Sequence, residues 1–272
     1  MSFIFRDSSI APGFRQRYWR RFEGAYTVAA RNGPSYNPST MRQDIRVSLE
    51  GEADFQTIGE AIRAVEAMAE QARAAAAQAP GAAPAREKIR IAIGPGVYRE
   101  KLKIALPGLE LVGSGREKTR IVWDDSARTP LPNGEPMGTF NSYTLYVGAP
   151  GTRLRGLTVE NSAGDGRIVG QAVALYADAD DFAAEDCRLS ARQDTLCTGP
   201  LPKNPPPKGI NLIHPVAGLG DRQPALPFHQ LYRRCLIEGD VDFIFGSALA
   251  VFQDCEIHSL ARLPLANEGG EA

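Results

Sequence analysis

Two acidic residues stand where ordinary packing does not ask for acids. Asp242 lies inside the apolar, β-prone run Val241-Asp242-Phe243-Ile244-Phe245-Gly246, and Asp194 follows Gln193 in Gln193-Asp194-Thr195-Leu196. A carboxylate held among Val, Phe and Ile costs several kcal/mol unless its neighbours compensate it. Two carboxyls brought close can divide labour, one ionised and nucleophilic, the other protonated and donating. Amides at Gln193 and at Gln171, which precedes the apolar run 172–176, can donate to a developing oxyanion. That set suits attack on an ester carbonyl by a carboxylate. The same residue types leave other uses open: a calcium site from Asp194, Asp240 and Asp242, a carboxylate pair for glycoside hydrolysis, or a structural polar ladder. Strand alternation would place Asp240, Asp242 and Ile244 on one face, with Val241, Phe243 and Phe245 on the other.

Something must bring residues 194 and 242 together, and the spacing of near-copies suggests what. Asp186-Cys187-Arg188-Leu189, Arg234-Cys235-Leu236-Ile237 and Asp254-Cys255-Glu256-Ile257 share one pattern, with Gly156-Leu157-Thr158-Val159 as a cysteine-free version. The last two cysteines are 20 residues apart, close to one coil of a β-solenoid, and the 48 residues between Cys187 and Cys235 read as one coil plus an insertion. Short apolar runs at 89–93, 109–112, 120–123, 143–147, 154–159, 172–176, 182–189, 231–237, 243–245 and 250–257 are punctuated by Gly, Pro and Asn. Units this thin cannot bury a face alone and must stack, which predicts an all-β parallel β-helix with the cysteines inside. Residues 194 and 242, at equivalent positions of successive repeats, would then lie on neighbouring coils about 4.8 Å apart. Residues 54–78 read as an amphipathic helix, with Phe55, Ile58, Ala61, Ile62, Val65 and Met68 on its apolar face and Asp54 as N-cap. Such a helix can cap the open end of a solenoid. Gly94-Pro95-Gly96 and Gly113-Ser114-Gly115 are read as solenoid corners, because no helix follows them.

The chain has 272 residues, 43% of them apolar, and a net charge of -1, which gives no global pull toward nucleic acid or a membrane. Residues 1–45 form a locally basic arm, 46–260 the solenoid with a Pro-rich loop at 199–227, and 261–272 a tail. Four cysteines without a C-x-x-C pair, and only three histidines, argue against a zinc site. No signal peptide is visible after Met1, so the chain as written reads as cytoplasmic, or as secreted or periplasmic if its start is misassigned.

The ordered motifs resemble the pectin methylesterase (pectinesterase) family. Those that carry the resemblance are Asp54-Phe55-Gln56-Thr57-Ile58, Gly94-Pro95-Gly96-Val97-Tyr98-Arg99-Glu100, Leu157-Thr158-Val159-Glu160-Asn161, Gln171-Ala172-Val173-Ala174-Leu175, Gln193-Asp194-Thr195-Leu196 and Val241-Asp242-Phe243-Ile244-Phe245-Gly246. The resemblance implies a right-handed parallel β-helix that hydrolyses methyl esters of galacturonate units, with Asp242 as nucleophile and Asp194 as general acid. It implies Gln171 and Gln193 as oxyanion donors, Val241, Phe245 and Thr139 as substrate contacts, and neither metal nor organic cofactor. The partner would be pectin or a methylated oligogalacturonide, taken by a monomer, with no nucleic acid or membrane involved. The Pro-rich insertion resembles bacterial members.

One family feature has no counterpart. The resemblance implies an arginine with a nearby tryptophan in a Leu-Gly-Arg-Pro-Trp segment beyond Gly246, whereas the only tryptophans are Trp19 and Trp123, and Arg262 stands in a different context. The expectation is a chain lacking several C-terminal coils, with Asp242 short of a positioning donor and with low stability or activity. A non-catalytic β-helix that binds acidic oligosaccharides is the alternative, and a calcium-dependent lyase of the same architecture a further one.

Overall fold

A computed structural model describes residues 43–78, 89–200 and 228–262. Most of the basic arm and the tail, and residues 201–227 of the Pro-rich loop, lie outside the described residues.

The chain winds in parallel coils. Strand β1 (Gln43–Val47) leads to helix α1 (Ile58–Ala77), and the coils follow: β2 (Ile89–Ile93), β3 (Gly96–Arg99) and β4 (Leu102–Ile104); then β5 (Glu110–Gly113), β6 (Thr119–Trp123) and β7 (Leu145–Val147). Next come β8 (Arg153–Arg155), β9 (Thr158–Asn161), the one-turn helix α2 (Gly166–Val169) and β10 (Leu175–Ala177); then β11 (Phe182–Glu185), β12 (Arg188–Ser190) and β13 (Leu196–Thr198). The final coils are β14 (His229–Arg233), β15 (Leu236–Gly239) and β16 (Ile244–Gly246), then β17 (Leu249–Gln253) and β18 (Glu256–Ser259). β1 stacks on β2, and from β2 onward every third strand stacks, making sheets of seven (β1-β2-β5-β8-β11-β14-β17), six (β3-β6-β9-β12-β15-β18) and five strands (β4-β7-β10-β13-β16). Parallel crossovers of this kind wind right-handed. The fold is a right-handed parallel β-helix.

In-register stacking lines up like residues inside. Ile45, Ile91, Leu111, Leu154, Ala184, Tyr232 and Phe252 form one ladder. Tyr98, Ile121, Val159, Leu189, Ile237 and Ile257 form a second. Leu102, Leu145, Leu175, Leu196 and Ile244 form the third. Most of these side chains are fully buried, each worth about 1.5–3 kcal/mol over the exposed state. The ladders thin out at the last coil, where Ile257 is 40% exposed.

The four longest apolar runs are not single strands. Runs 154–159, 182–189, 231–237 and 250–257 each bend once, at Gly156 (φ 61°), Asp186 (φ 54°), Arg234 (φ 53°) and Asp254 (φ 54°). These left-handed residues are the polar positions of the repeat, and each turns the chain from the seven-stranded to the six-stranded sheet. The residue after each corner is Leu157, Cys187, Cys235 or Cys255, and all four sulfur or aliphatic groups belong to or pack on the core.

Helix α1 begins at Ile58, not Asp54. Thr57 is its N-cap, extended at φ -121°, with its Oγ1 accepting from the Glu60 N–H. Asp54 instead accepts from the Arg46 N–H at 2.7 Å. Glu100 accepts from the Ile58 and Gly59 N–H groups at 2.8 Å each, placing an anion on the positive helix end. Ile58, Ala61, Ile62 and Val65 enter the core, while Met68 is 40% exposed, so the apolar face is one turn shorter than expected. The helix packs against β1, β2 and β4.

Candidate active site

The two acidic segments are in register on adjacent coils. Gln193 bridges Val241 in parallel, the Asp194 N–H donates to the Val241 carbonyl at 3.0 Å, and Leu196 pairs with Ile244. Residue 194 therefore faces residue 242 across one strand spacing. Both aspartates are in the left-handed region, Asp194 at φ 68° and Asp242 at φ 46°, a conformation that Asp tolerates better than most residues. It costs on the order of 1 kcal/mol or more and recurs at functional sites.

That backbone turn overturns the expected alternation. Asp242 is exposed, whereas the Asp240 side chain is 1% exposed and lies 3.2 Å from Arg192 Nε and 3.5 Å from Arg262 Nε. Asp240, Asp242 and Ile244 do not share a face. With Asp240 committed to two guanidiniums, the calcium reading loses one of its three donors. Arg262 reaches Asp240 rather than Asp242, and among the described residues no ion pair reaches Asp242.

Asp194 is 7% exposed, and its Oδ1 is buried without a hydrogen bond. Burial, and secondarily the Asp242 charge, push its carboxyl up to about 7, while a hydrogen bond from the Gln193 side chain pulls the other way. A carboxyl so placed keeps a proton near neutral pH and can donate it. Gln193 lies against Gly166, the first residue of α2: a Cβ built there would come within 2.5 Å of Gln193 Oε1. Gln171 is half-buried one coil back, where the Ala172 N–H donates to the Gln193 carbonyl at 3.0 Å, and its amide has no hydrogen-bond partner among the described residues.

The outer face of the five-stranded sheet continues from these acids. Lys103, Tyr146, Tyr176, Cys197 and Phe245 stack in register along it. Tyr146 and Tyr176 meet edge to face at 5.1 Å. Phe140 closes over them, 5.8 Å from Tyr176 and 6.5 Å from Phe245. Thr139 precedes Phe140 in the 3-10 turn Thr139–Asn141, so it sits beside this patch. Val241 and Phe245 are half-buried on either side of Asp242. Of the residues singled out in the sequence, Gln171, Gln193, Asp194, Val241, Asp242 and Phe245 meet on three neighbouring coils, and Thr139 approaches through the aromatic patch. Phe140, Tyr146 and Tyr176 were missed; the equal spacing of Tyr146 and Tyr176 from their coil corners was the available signal.

The loop at 124–142 that carries Thr139 and Phe140 is anchored from below. Lys101 Nζ donates to Asp125 and, at 2.6 Å, to the Asn141 carbonyl, and lies 4.9 Å from the Tyr143 ring centroid.

The pectinesterase family model matches residues 44–200 and 216–270. Probable pectinesterase/pectinesterase inhibitor 36 of Arabidopsis thaliana is 31% identical over 237 residues, 86% of this chain and 36% of that protein. A pectin methylesterase solved in complex with hexasaccharide VII superposes with a TM-score of 0.59 at 26% identity, over 82% of this chain and 57% of that one. Pectin methylesterase PemA from Erwinia chrysanthemi does so with a TM-score of 0.57 at 27% identity, over 80% and 56%. The chain thus spans about a third of the length of that curated relative and somewhat more than half of each solved chain. With the motifs in order, the coils in register and the two carboxyls opposed, the chain belongs to the pectinesterase family.

Proposed function

We propose that this chain hydrolyses the methyl esters of galacturonate units in pectin or its oligomers. The observation that carries the reading is a buried carboxyl pushed up to about 7, Asp194, facing the exposed Asp242 across one strand spacing with two glutamine amides beside them. An Asp242 oxygen attacks the ester carbonyl carbon, and the carbonyl electrons move onto oxygen, where the Gln171 and Gln193 amides donate to it. Collapse of this intermediate breaks the C–O bond to the methoxy group, and Asp194 gives its proton to the departing oxygen, releasing methanol. Asp194, now ionised, takes a proton from water as that water attacks the acyl-aspartate. The product leaves as a carboxylic acid that gives its proton to solvent, and the Asp242 carboxylate and protonated Asp194 are restored. The aromatic patch of Phe140, Tyr176 and Phe245 offers apolar surface to sugar rings. That a related enzyme was solved with a hexasaccharide supports an oligosaccharide as the ligand.

Methanol release from methyl-esterified oligogalacturonate tests this. The expected result is release by the native chain, and loss to background in Asp242→Asn with the fold intact by circular dichroism. Release that survives Asp242→Asn contradicts the role of Asp242; binding without release supports a purely binding β-helix.

A further inference from the structure

We propose that Arg192 and the buried Asp240 form an ionic staple that sets the relative position of Asp194 and Asp242, acting as positioning residues for the reaction. The inference rests on the esterase reading above for its kinetic consequences and on the fold alone for its geometric ones.

Register is the first ground. The Asp240 N–H donates to the Arg192 carbonyl at 2.8 Å, so these two residues are opposed on adjacent coils. The next opposed pair is Gln193 and Val241, and the one after is Asp194 and Asp242. The staple therefore sits two residues ahead of both acids, on the same two segments. Both backbones then turn through left-handed residues at once, and any slip between the coils at 192 and 240 passes directly into the separation of the carboxyls.

The second ground is chemical. Neither Asp240 oxygen has a hydrogen bond and both are buried, so the charge depends on Arg192 at 3.2 Å and Arg262 at 3.5 Å. Arg192 is itself tied down, with its Nη2 donating to the Ala261 carbonyl at 2.9 Å and its Nε buried. An ion pair with one partner buried is weak evidence of stability, because an apolar pair of similar volume often serves as well or better. Its worth lies in fixing one arrangement of its neighbours.

The third ground is the weakness of what else holds Asp242. β16 is three residues long and is the edge strand of its sheet among the described residues, paired on one side only, with β13. Among the described residues the Asp242 segment has no ladder on its far side, and the Arg192–Asp240 pair is a side-chain link that ties it to the preceding coil.

The test is the double variant Arg192→Met/Asp240→Leu. It removes one positive and one negative charge together, so its direct electrostatic effect on Asp194 is small and a change at Asp194 reports geometry. Two readouts are taken: kcat and KM for methanol release, and the titration midpoint of the Asp194 carboxyl by carbon NMR. The expected result is a fall in kcat of about 10- to 100-fold with KM changed less than about 3-fold, the scale of a small misplacement of reacting groups. The midpoint of Asp194 moves down toward that of an ordinary carboxyl as Asp242 recedes. A folded double variant with native kcat and a native midpoint overturns the proposal. If the double variant does not fold, the isosteric Asp240→Asn carries the same kinetic readout, and native kcat there is equally contrary. Should the native chain release no methanol, the esterase reading fails, while the midpoint still decides whether the staple sets the geometry.

Discussion

Asp194→Asn should make the protein more stable as it makes it inactive, and the gain should grow with pH. Folding raises the Asp194 carboxyl from 3.8 to about 7, through burial first and the neighbouring Asp242 charge second. At pH 3 the group is protonated whether the chain is folded or not, and it contributes no penalty. Between about 4 and about 7 the unfolded chain has released this proton and the folded one has kept it, so stability falls by about 1.4 kcal/mol for each pH unit. Above about 7 the folded protein also ionises, and the whole penalty is present. From 3.8 to about 7 this amounts to about 4 kcal/mol as an upper figure. Asparagine has the same shape and no charge to bury. The variant should therefore gain about 2–4 kcal/mol over the native protein at pH 8, or a melting temperature higher by about 5–15 °C for a chain of this size, and little at pH 4. Thermal unfolding of both proteins by circular dichroism at pH 4, 6 and 8 measures this. A stability difference that stays constant across that range refutes the reasoning, since it would mean that Asp194 titrates alike in the folded and unfolded chain.

Gly166→Ala puts a methyl group within 2.5 Å of Gln193 Oε1 and 2.6 Å of Gln193 Cβ; methanol release should fall by about 10- to 100-fold for a displaced oxyanion donor, and the melting temperature should fall as well, because the Cβ cannot rotate away. Lys101→Met removes the donor that ties Asp125 and the Asn141 carbonyl together beneath Thr139 and Phe140. KM for a methylated oligogalacturonide should rise about 3- to 10-fold as that loop loosens, with kcat within about 2-fold. Leu154→Ala opens a hole in the ladder between Leu111 and Ala184 and should cost about 2–5 kcal/mol in urea denaturation.

What could be read in advance follows from what repeats. Cys187, Cys235 and Cys255 occupy one interior position coil after coil, so their spacing revealed the stacking and with it the pairing of residues 194 and 242. The corners were less visible. A left-handed Asp186 or Arg234 looks in sequence like any polar residue in a strand, so runs such as 182–189 read as one element instead of two. The same blindness misplaced Asp240: alternation holds only while φ stays extended, and Asp242 at φ 46° breaks it. Thr57 outcompeted Asp54 as N-cap because Asp54 is drawn to the Arg46 N–H, a contact between segments that no local pattern encodes. The aromatic patch joins Phe140 from a loop to Tyr176 and Phe245 from separate coils, and only the register brings those three together. Glu100, which accepts from both the Ile58 and Gly59 N–H groups, is a capping partner 41 or more residues away, beyond the reach of any helix-start signal.

The opposition of the two carboxyls is tested most directly by carbon NMR titration of Asp194 in the native protein and in Asp242→Asn. A midpoint near 7 that drops when the Asp242 charge is removed is the expected result. A midpoint indifferent to residue 242 would mean that the two acids do not face each other, and one near 4 in the native protein would contradict the burial of Asp194 as well.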